Sequence, residues 1–412
     1  MPPADNVVDL DEVDGSPDKG AAGGPLDDLN GFRPKPDGPP ETITALHEVV
    51  DDRDHDGASA SSVSTGASCS ESSSSVTLRS ENASSTVGLD RYGFEMGASG
   101  SLIGRQASER GGGGPAVDAW LENKRTMKWL RMFADWDKVK SSSTIKRRIR
   151  KGIPDSLRAK AWPLLVGSQD LPARKADPNR YQKLLQQTPD PSVAEDISKD
   201  INRTFPTHSM FSGPRSIGQE CLQNVLRAYS LHNPTFGYCQ AIAYVAAIFL
   251  SYMPEVDAFW MLVAVLESKK HNLQVVCDKQ LSGTVELLQI FKVLLGRYSK
   301  KLALHMENEC MDPTMYATQW LCTMFARDFH FELVTRVYDV FLHEGWKVIH
   351  RVAMAILMVN EKEIRSRSFE DIMYFFKEIH LHINAAEVMD KAFSISVTKK
   401  EIEKIKMQQL AA

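Results

Sequence analysis

The chain has 412 residues, 42% of them hydrophobic, and a net charge of −4 at neutral pH, enough for a sizeable core in one large domain or two smaller ones. The charge is polarised: residues 1–114 hold 8 Lys and Arg against 20 Asp and Glu, a net of −12, which leaves +8 on the remainder. The longest apolar run, Tyr238 to Met253, falls short of the roughly 20 residues a membrane span needs, and the acidic N-terminus lacks the apolar segment of a signal peptide. A soluble cytoplasmic protein is expected.

Residues 1–114 are predicted to be a disordered acidic tail. The stretch "GASASSVSTGASCSESSSSVTLRSENASSTVG" is nearly all small and polar, with too little apolar surface to offset its ordering entropy. Gly111 to Pro115 form a flexible joint. The Ser tract is open to phosphorylation, and a plain solvated tail explains it equally well. All seven Trp lie at position 120 or later, so the core is expected to begin near there.

Residues 115–148 read as a helical lead-in. Trp120, Met127, Leu130, Phe133 or Ala134, and Val139 recur at helical spacing, with Asp118 placed to cap the helix. The basic cluster "STIKRRIRKGIP" follows. It is either a solvated face or a contact for an acidic partner or membrane surface.

Residues 149–398 then alternate helices and short turns. Leu222, Val225, Leu226 and Tyr229 share one face. "DAFWMLVAVLES" and "KVIHRVAMAILMV" are apolar nearly all round, as buried helices are. Gly345 ends one helix, and Ser368 with Asp371 three residues later has the form of a capping box. The segment 399–412 reads as a charged terminal helix that projects from the body. Sustained alternation of strand type is absent, as is a glycine-rich phosphate-binding loop of the GxxxxGK[ST] form. The expected fold class is all-α: one large multi-helix domain behind the tail.

The six cysteines, Cys69, Cys221, Cys239, Cys277, Cys310 and Cys322, form no Cys-x-x-Cys pair and have no His at metal-ligand spacing. Reduced thiols, most of them buried, and no bound metal are expected.

Three stretches carry more than a helical domain requires. In "RKGIPDSLRAKAW" (Arg150 to Trp162), Gly152 and Pro154 make a turn and Asp155 or Ser156 starts a helix that bears Arg158 and Trp162. In "DISKDINRTFPTHSMF", Asp200 and Arg203 are neighbours at spacing three, and Pro206 sets the helix end close behind Arg203. In "NPTFGYCQA", Asn233 and Pro234 open a loop, Gly237 permits a tight turn before Tyr238, and Gln240 enters the first turn of a buried helix. Each has an ordinary reading on its own: a helix start, a surface ion pair worth under about 1 kcal/mol, and a capping or core-satisfied Gln.

Taken in order, R-x-G-I-P-x-x-L-R-x-x-x-W, I-x-x-D-x-x-R-T-F-P, N-P-x-x-G-Y-C-Q and "RVYDVFLHEGWKVIHRVAMAIL" resemble the TBC domain of Rab GTPase-activating proteins over roughly residues 120–395. "MKWLRMFADWDK" and Ala241 after Gln240 are similar to the carabin-like branch. The resemblance implies a dual-finger activator of a GTP-bound Rab, acting in regulation of vesicle traffic. By the resemblance, the two fingers are expected at Arg203 and Gln240. Asp200, Gly237 and Tyr238 support them. Arg150, Gly152, Pro154, Arg158, Trp162, Asn233 and Pro234 scaffold the partner groove. GTP and Mg2+ belong to the partner, and no cofactor is expected on this chain. Nucleic acid is not an expected partner, whereas peripheral contact with endomembranes or the plasma membrane is compatible with the basic body. A scaffold that binds a small GTPase without turnover, or a helical adaptor, is the alternative. Ala241 replaces the family's commoner Gly, His330 a Pro and Tyr338 a Trp. The last two read as structural, with His330 a loop or core residue and not a base.

Overall fold

The computed structural model describes residues 89–95, 115–213, 215–277 and 282–410, all within one compact unit, Glu81–Ala412. The expected all-α class stands: among the described residues there is no strand, only the isolated bridges Leu89 to Glu95 and Phe94 to His208. The longer helices are α1 (Pro115–Ala134), α2 (Ser143–Arg150), α3 (Arg158–Val166), α4 (Pro191–Ile201), α5 (Ile217–His232), α6 (Ala241–Leu250) and α7 (Glu255–Glu267). They continue with α8 (Ser282–Tyr298), α9 (Lys300–Asn308), α10 (Phe331–Glu344), α11 (Lys347–Val359), α12 (Phe369–Lys377), α13 (Ala385–Ser394) and α14 (Lys399–Leu410).

Apolar residues all round a helix demand neighbours all round it. All ten residues of α6 are buried, as are Ala258 to Leu266 of α7 and Val348 to Leu357 of α11. Accordingly α6 and α7 pack on each other and on α5, while α11 packs on α10 and α13. Side chains close the orphan N–H groups at several helix starts. Ser142 accepts from Ile145 N, Asp190 from Ser192 N and Ser216 from Gln219 N. Gly345 ends α10 with φ +71°, as expected. Ser368 does occupy the N-cap of α12, but its hydroxyl donates to Asp371 at 2.9 Å and caps no backbone N–H.

Four expectations are corrected. Helix α1 begins at Pro115, so Asp118 lies inside it and not at its N-cap. Its buried face carries Trp129 and Met132, whereas Trp120, Met127 and Leu130 are exposed. The helix has two apolar stripes, and only the second meets the body. Helix α14 does not project: Ile405 is buried, Glu401 reaches Arg297 and Tyr298, and Lys406 reaches Glu286, all on α8. Within the presumed tail, residues 89–95 are docked on the body, with Tyr92 and Phe94 packed against core aromatics. The Ser tract, Cys69 and the glycines Gly111 to Gly114 lie outside the described residues.

A buried carboxylate ties the first motif to the fourth. Asp339, on α10, is completely buried. It accepts from the Ile153 N–H at 3.1 Å, from Arg158 Nε and an Arg158 terminal nitrogen at 3.0 and 3.2 Å, and from Trp162 Nε1 at 2.8 Å. Arg158 also donates to the Tyr252 hydroxyl at 3.1 Å and pairs with Asp155. The turn ahead of it uses Gly152 at φ +96°, where a Cβ would stand 3.2 Å from Arg336 Nε. Pro154 is buried between that turn and the short helix Asp155–Leu157. Arg150 makes a two-pronged pair with Glu344 at 2.7 and 2.9 Å. Burial would raise the Glu344 carboxyl, but Arg150 and Lys347 outweigh it and hold its pKa near 2. Tyr338, next to Asp339, is fully enclosed between Trp162 and Phe249, a structural position as expected. His330 likewise sits at the start of α10, with burial lowering its pKa.

Removing Asp339 leaves the buried Arg158 with only the half-exposed Asp155 as a charged partner and takes the acceptor from the Ile153 N–H and Trp162 Nε1. Asp339→Ala is therefore expected to cost about 3–5 kcal/mol of stability, read as a lower urea midpoint at unchanged m-value, with Asp339→Asn intermediate. A second expectation concerns pH. His350 is fully buried with neither ring nitrogen bonded, and burial pulls its pKa down to about 4. His271 is brought to about 4 by burial and then by Lys270. In the unfolded chain both titrate near about 6.5, so between the two values the unfolded state binds more protons. Stability is then full above about pH 6.5 and falls as pH drops toward 4, by the order of 2 kcal/mol per His at about pH 5. Urea midpoints measured across that range should decline, and His350→Phe should flatten the slope.

Candidate functional site

The second and third motifs meet at one carboxylate. Helix α4 ends at Ile201, and Arg203 sits in the following turn with its N–H on the Asp200 carbonyl at 3.2 Å. Asp200 itself is buried, and it uses its two carboxylate oxygens for two different motifs. One pairs with the Arg203 guanidinium. The other accepts from the Tyr238 hydroxyl at 2.5 Å, a short charge-assisted bond. Burial and then Asp200 push the Tyr238 pKa well up, so the phenol keeps its proton and donates. The Arg203 side chain is 54% exposed while its carboxylate partner is 5% exposed. A fixed anion thus orients a guanidinium that still faces outward.

A second tyrosine completes the join. Tyr244 donates to the Arg203 carbonyl at 3.2 Å, and Thr204 donates to the Asp200 carbonyl at 2.8 Å. Tyr238 and Tyr244 bracket Gln240 in sequence, so the two bonds hold the start of α6 beside the Arg203 turn. Tyr244 was unmarked in the motifs: within "AIAYVA" it reads as core, and only its hydroxyl reveals the role. Arg327 and Asp328 also lie within electrostatic range of that hydroxyl, adding an exposed guanidinium that sequence spacing did not indicate.

Gln240 is the N-cap residue of α6, half-buried, and its side chain makes no capping bond. The capping explanation therefore fails. The loop before it is shaped by Asn233, the C-cap of α5, whose Oδ1 accepts from Phe236 N at 3.2 Å and whose carbonyl accepts from Gly237 N at 2.9 Å. Asn233 Nδ2 donates to Glu267 at 3.3 Å. Pro234 is exposed. Gly237 has φ +68°, and a Cβ there would meet only the Pro234 carbonyl oxygen, at an ordinary contact distance of 3.9 Å. The backbone conformation and not crowding favours glycine there. Ala241 is buried at the first turn of α6.

Arg158 and Trp162 are interior groups, 3% and 0% exposed. They reach the site only through the body that Asp339 holds together. Among the described residues no group of three or more His, Cys, Asp and Glu could hold a metal ion, and no helix is long and apolar enough to cross a membrane. The chemistry on offer is an exposed guanidinium and a half-buried carboxamide, on two segments joined by the Tyr238–Asp200 and Tyr244–Arg203 bonds.

The Rab-GTPase-TBC domain family model matches residues 155–365. TBC1 domain family member 10B of Mus musculus is 39% identical over 280 residues, which are 65% of this chain and 32% of that protein. Carabin of Mus musculus is 36% identical over 289 residues, 68% of this chain and 60% of that protein. The chain thus spans about a third and three-fifths of these relatives. Among solved structures, the Chlamydomonas flagellar RabGAP TBC domain superposes with a TM-score of 0.60 at 26% identity, over 74% of this chain and 99% of that one. The Ypt/Rab-GAP domain of Gyp1p shares the fold at 19% identity and a TM-score of 0.52, over 64% of this chain and 97% of that one. With its four motifs in order, its all-helical body and a match across half its length, the chain belongs to the Rab-GTPase-TBC domain family.

Proposed function

We propose that this chain accelerates GTP hydrolysis on a Rab-family GTPase in its GTP form, with Arg203 and Gln240 acting in trans. The supporting observation is the division of Asp200 between Arg203 and Tyr238, beside a Gln240 that serves no cap. Arg203 donates to the phosphate oxygens on which charge builds during transfer, and its planar fork is already oriented by Asp200. Gln240 orients the attacking water through its free carboxamide. Residues 149–398 form the unit that engages the GTPase, and GTP and Mg2+ come with the partner. An arginine supplied in this way is worth roughly 10³–10⁵ in rate, or about 4–7 kcal/mol of barrier.

We also propose a face for an anionic membrane surface on helix α1. Helix α1 exposes Trp120 and Met127, and Lys124 stacks on the Trp120 ring at 4.5 Å. Local desolvation, and then Arg148, Lys124, Lys151 and Arg131, lower the Lys128 pKa. Apolar side chains among converging cations suit an anionic bilayer, where each basic residue near the surface contributes about 1 kcal/mol.

Single-turnover hydrolysis across a Rab panel tests the activity. Arg203→Ala is expected to lower the stimulated rate at least about 10³-fold, Arg203→Lys to recover little, and Gln240→Ala to cost about 10²-fold. A wild-type rate equal to that of all three variants on every Rab would leave a binding scaffold only. Vesicle sedimentation tests the surface. Retention on phosphatidylserine-containing vesicles but not on pure phosphatidylcholine, lost in a Lys124→Glu/Lys128→Glu/Arg131→Glu variant, is the expected result. Equal behaviour on both lipids removes the proposal.

A further inference from the structure

The segment Leu89–Glu95 does more than rest on the body. Asp90 folds it into a tight turn, accepting from Tyr92 N at 2.8 Å and Phe94 N at 2.9 Å. Gly93 takes φ +91°, and a Cβ there would stand 3.0 Å from Ser209 Oγ. Two backbone bonds then fasten the turn to the loop after Arg203: Ser209 N donates to the Gly93 carbonyl at 2.7 Å, and Glu95 N donates to the Thr207 carbonyl at 2.9 Å. Arg91 anchors the other side on Glu332 at 3.5 Å.

The loop so fastened holds a strained residue. Phe205, two positions after Arg203, has φ +49°. The left-handed region costs a bulky side chain about 1–2 kcal/mol, and such a conformation persists only where its surroundings over-determine it. Phe205 is enclosed by the rings of Phe94 (5.8 Å), Phe211 (6.2 Å), Tyr244 (5.6 Å) and Phe331 (6.0 Å). Phe94 also stacks edge-on against His208 at 4.7 Å. A continuous line of contacts therefore runs from Phe94 to Phe205, to Tyr244 and to the Arg203 carbonyl.

We infer that Leu89–Glu95 is a positioning clasp for the Arg203 turn, with Phe94 as its central side chain. The inference rests on the reading of Arg203 as a finger. The clasp touches neither GTP nor the partner's phosphates. It fixes Phe205 and, through it, the place from which the guanidinium reaches out. Displacement of a reacting group by about 1 Å can cost on the order of 10²-fold in rate, so a loosened clasp should slow turnover more than it weakens association.

The test uses the full chain and the Rab from the panel that responds most strongly. Phe94→Ala is expected to lower the maximal stimulated rate by about 10- to 100-fold, with little change in the half-saturating activator concentration. Asp90→Ala, which loosens the turn without altering the loop, should shift the rate in the same direction by less. In an Arg203→Ala background, Phe94→Ala should have no further effect on the maximal rate, because the two changes remove one contribution. Thermal melts of each variant identify any that fail to fold, and Asp90→Ala then carries the measurement. The clasp is overturned if both single variants match wild type, if either is faster than wild type, or if Phe94→Ala slows both backgrounds equally. If Arg203→Ala itself leaves the rate intact, the finger assignment fails, a result distinguishable from failure of the clasp alone.

Discussion

A single carboxylate, that of Asp200, sets the geometry on which the candidate site depends. Two residues claim its two oxygens, Arg203 three positions along the chain and Tyr238 38 positions along it, and each claim constrains the other. Tyr238 can donate only if the loop after α5 turns sharply at Gly237. Arg203 stands in the turn just past the end of α4, three positions beyond its partner, with its side chain facing outward. The anion sits inside, where it is not screened by solvent, while the cation stands outside. A surface ion pair alone would be worth little. Here the buried partner and the second donor convert a weak attraction into a fixed direction.

The molecule uses buried carboxylates for two separate purposes. Asp339 is saturated by Ile153, Arg158 and Trp162, and every group it holds is interior. It gives the N-terminal motif its position against α10. Asp200 has one interior and one exposed partner. The difference in exposure separates a group that maintains the body from one that presents chemistry. It also sets Arg158 and Trp162 of the first motif, which are interior, apart from Arg203, which is not.

The all-α class and the convergence of two distant motifs were legible because they depend on local patterning and on residue types at fixed spacing. Helix α6 announces its burial by composition, and Gly345 ends α10 by backbone preference alone. Other features depend on which surface a segment meets. Helix α1 carries one apolar stripe through Trp120 and Met127 and another through Trp129 and Met132, and periodicity cannot choose between them. Asp339 stood in a quoted motif, yet its partners lie 177 to 186 positions away. Tyr244 was hidden inside an apolar run. The docking of residues 89–95 is not legible in the same way, because Leu89, Tyr92 and Phe94 are few among many small polar neighbours and composition averaged over 1–114 hides them. Gly93 between two aromatics was the available signal.

The C-terminal helix has a geometric implication. Ile405 is enclosed against α8, and Glu401 bonds both Arg297 and Tyr298 at 3.2 and 3.0 Å. The end of α14 is thereby given a set location on the body. A linker or fused module attached beyond Leu410 would be tethered from that fixed origin, so its reach to any bound partner, and hence its effective concentration there, follows from the length and stiffness of the linker.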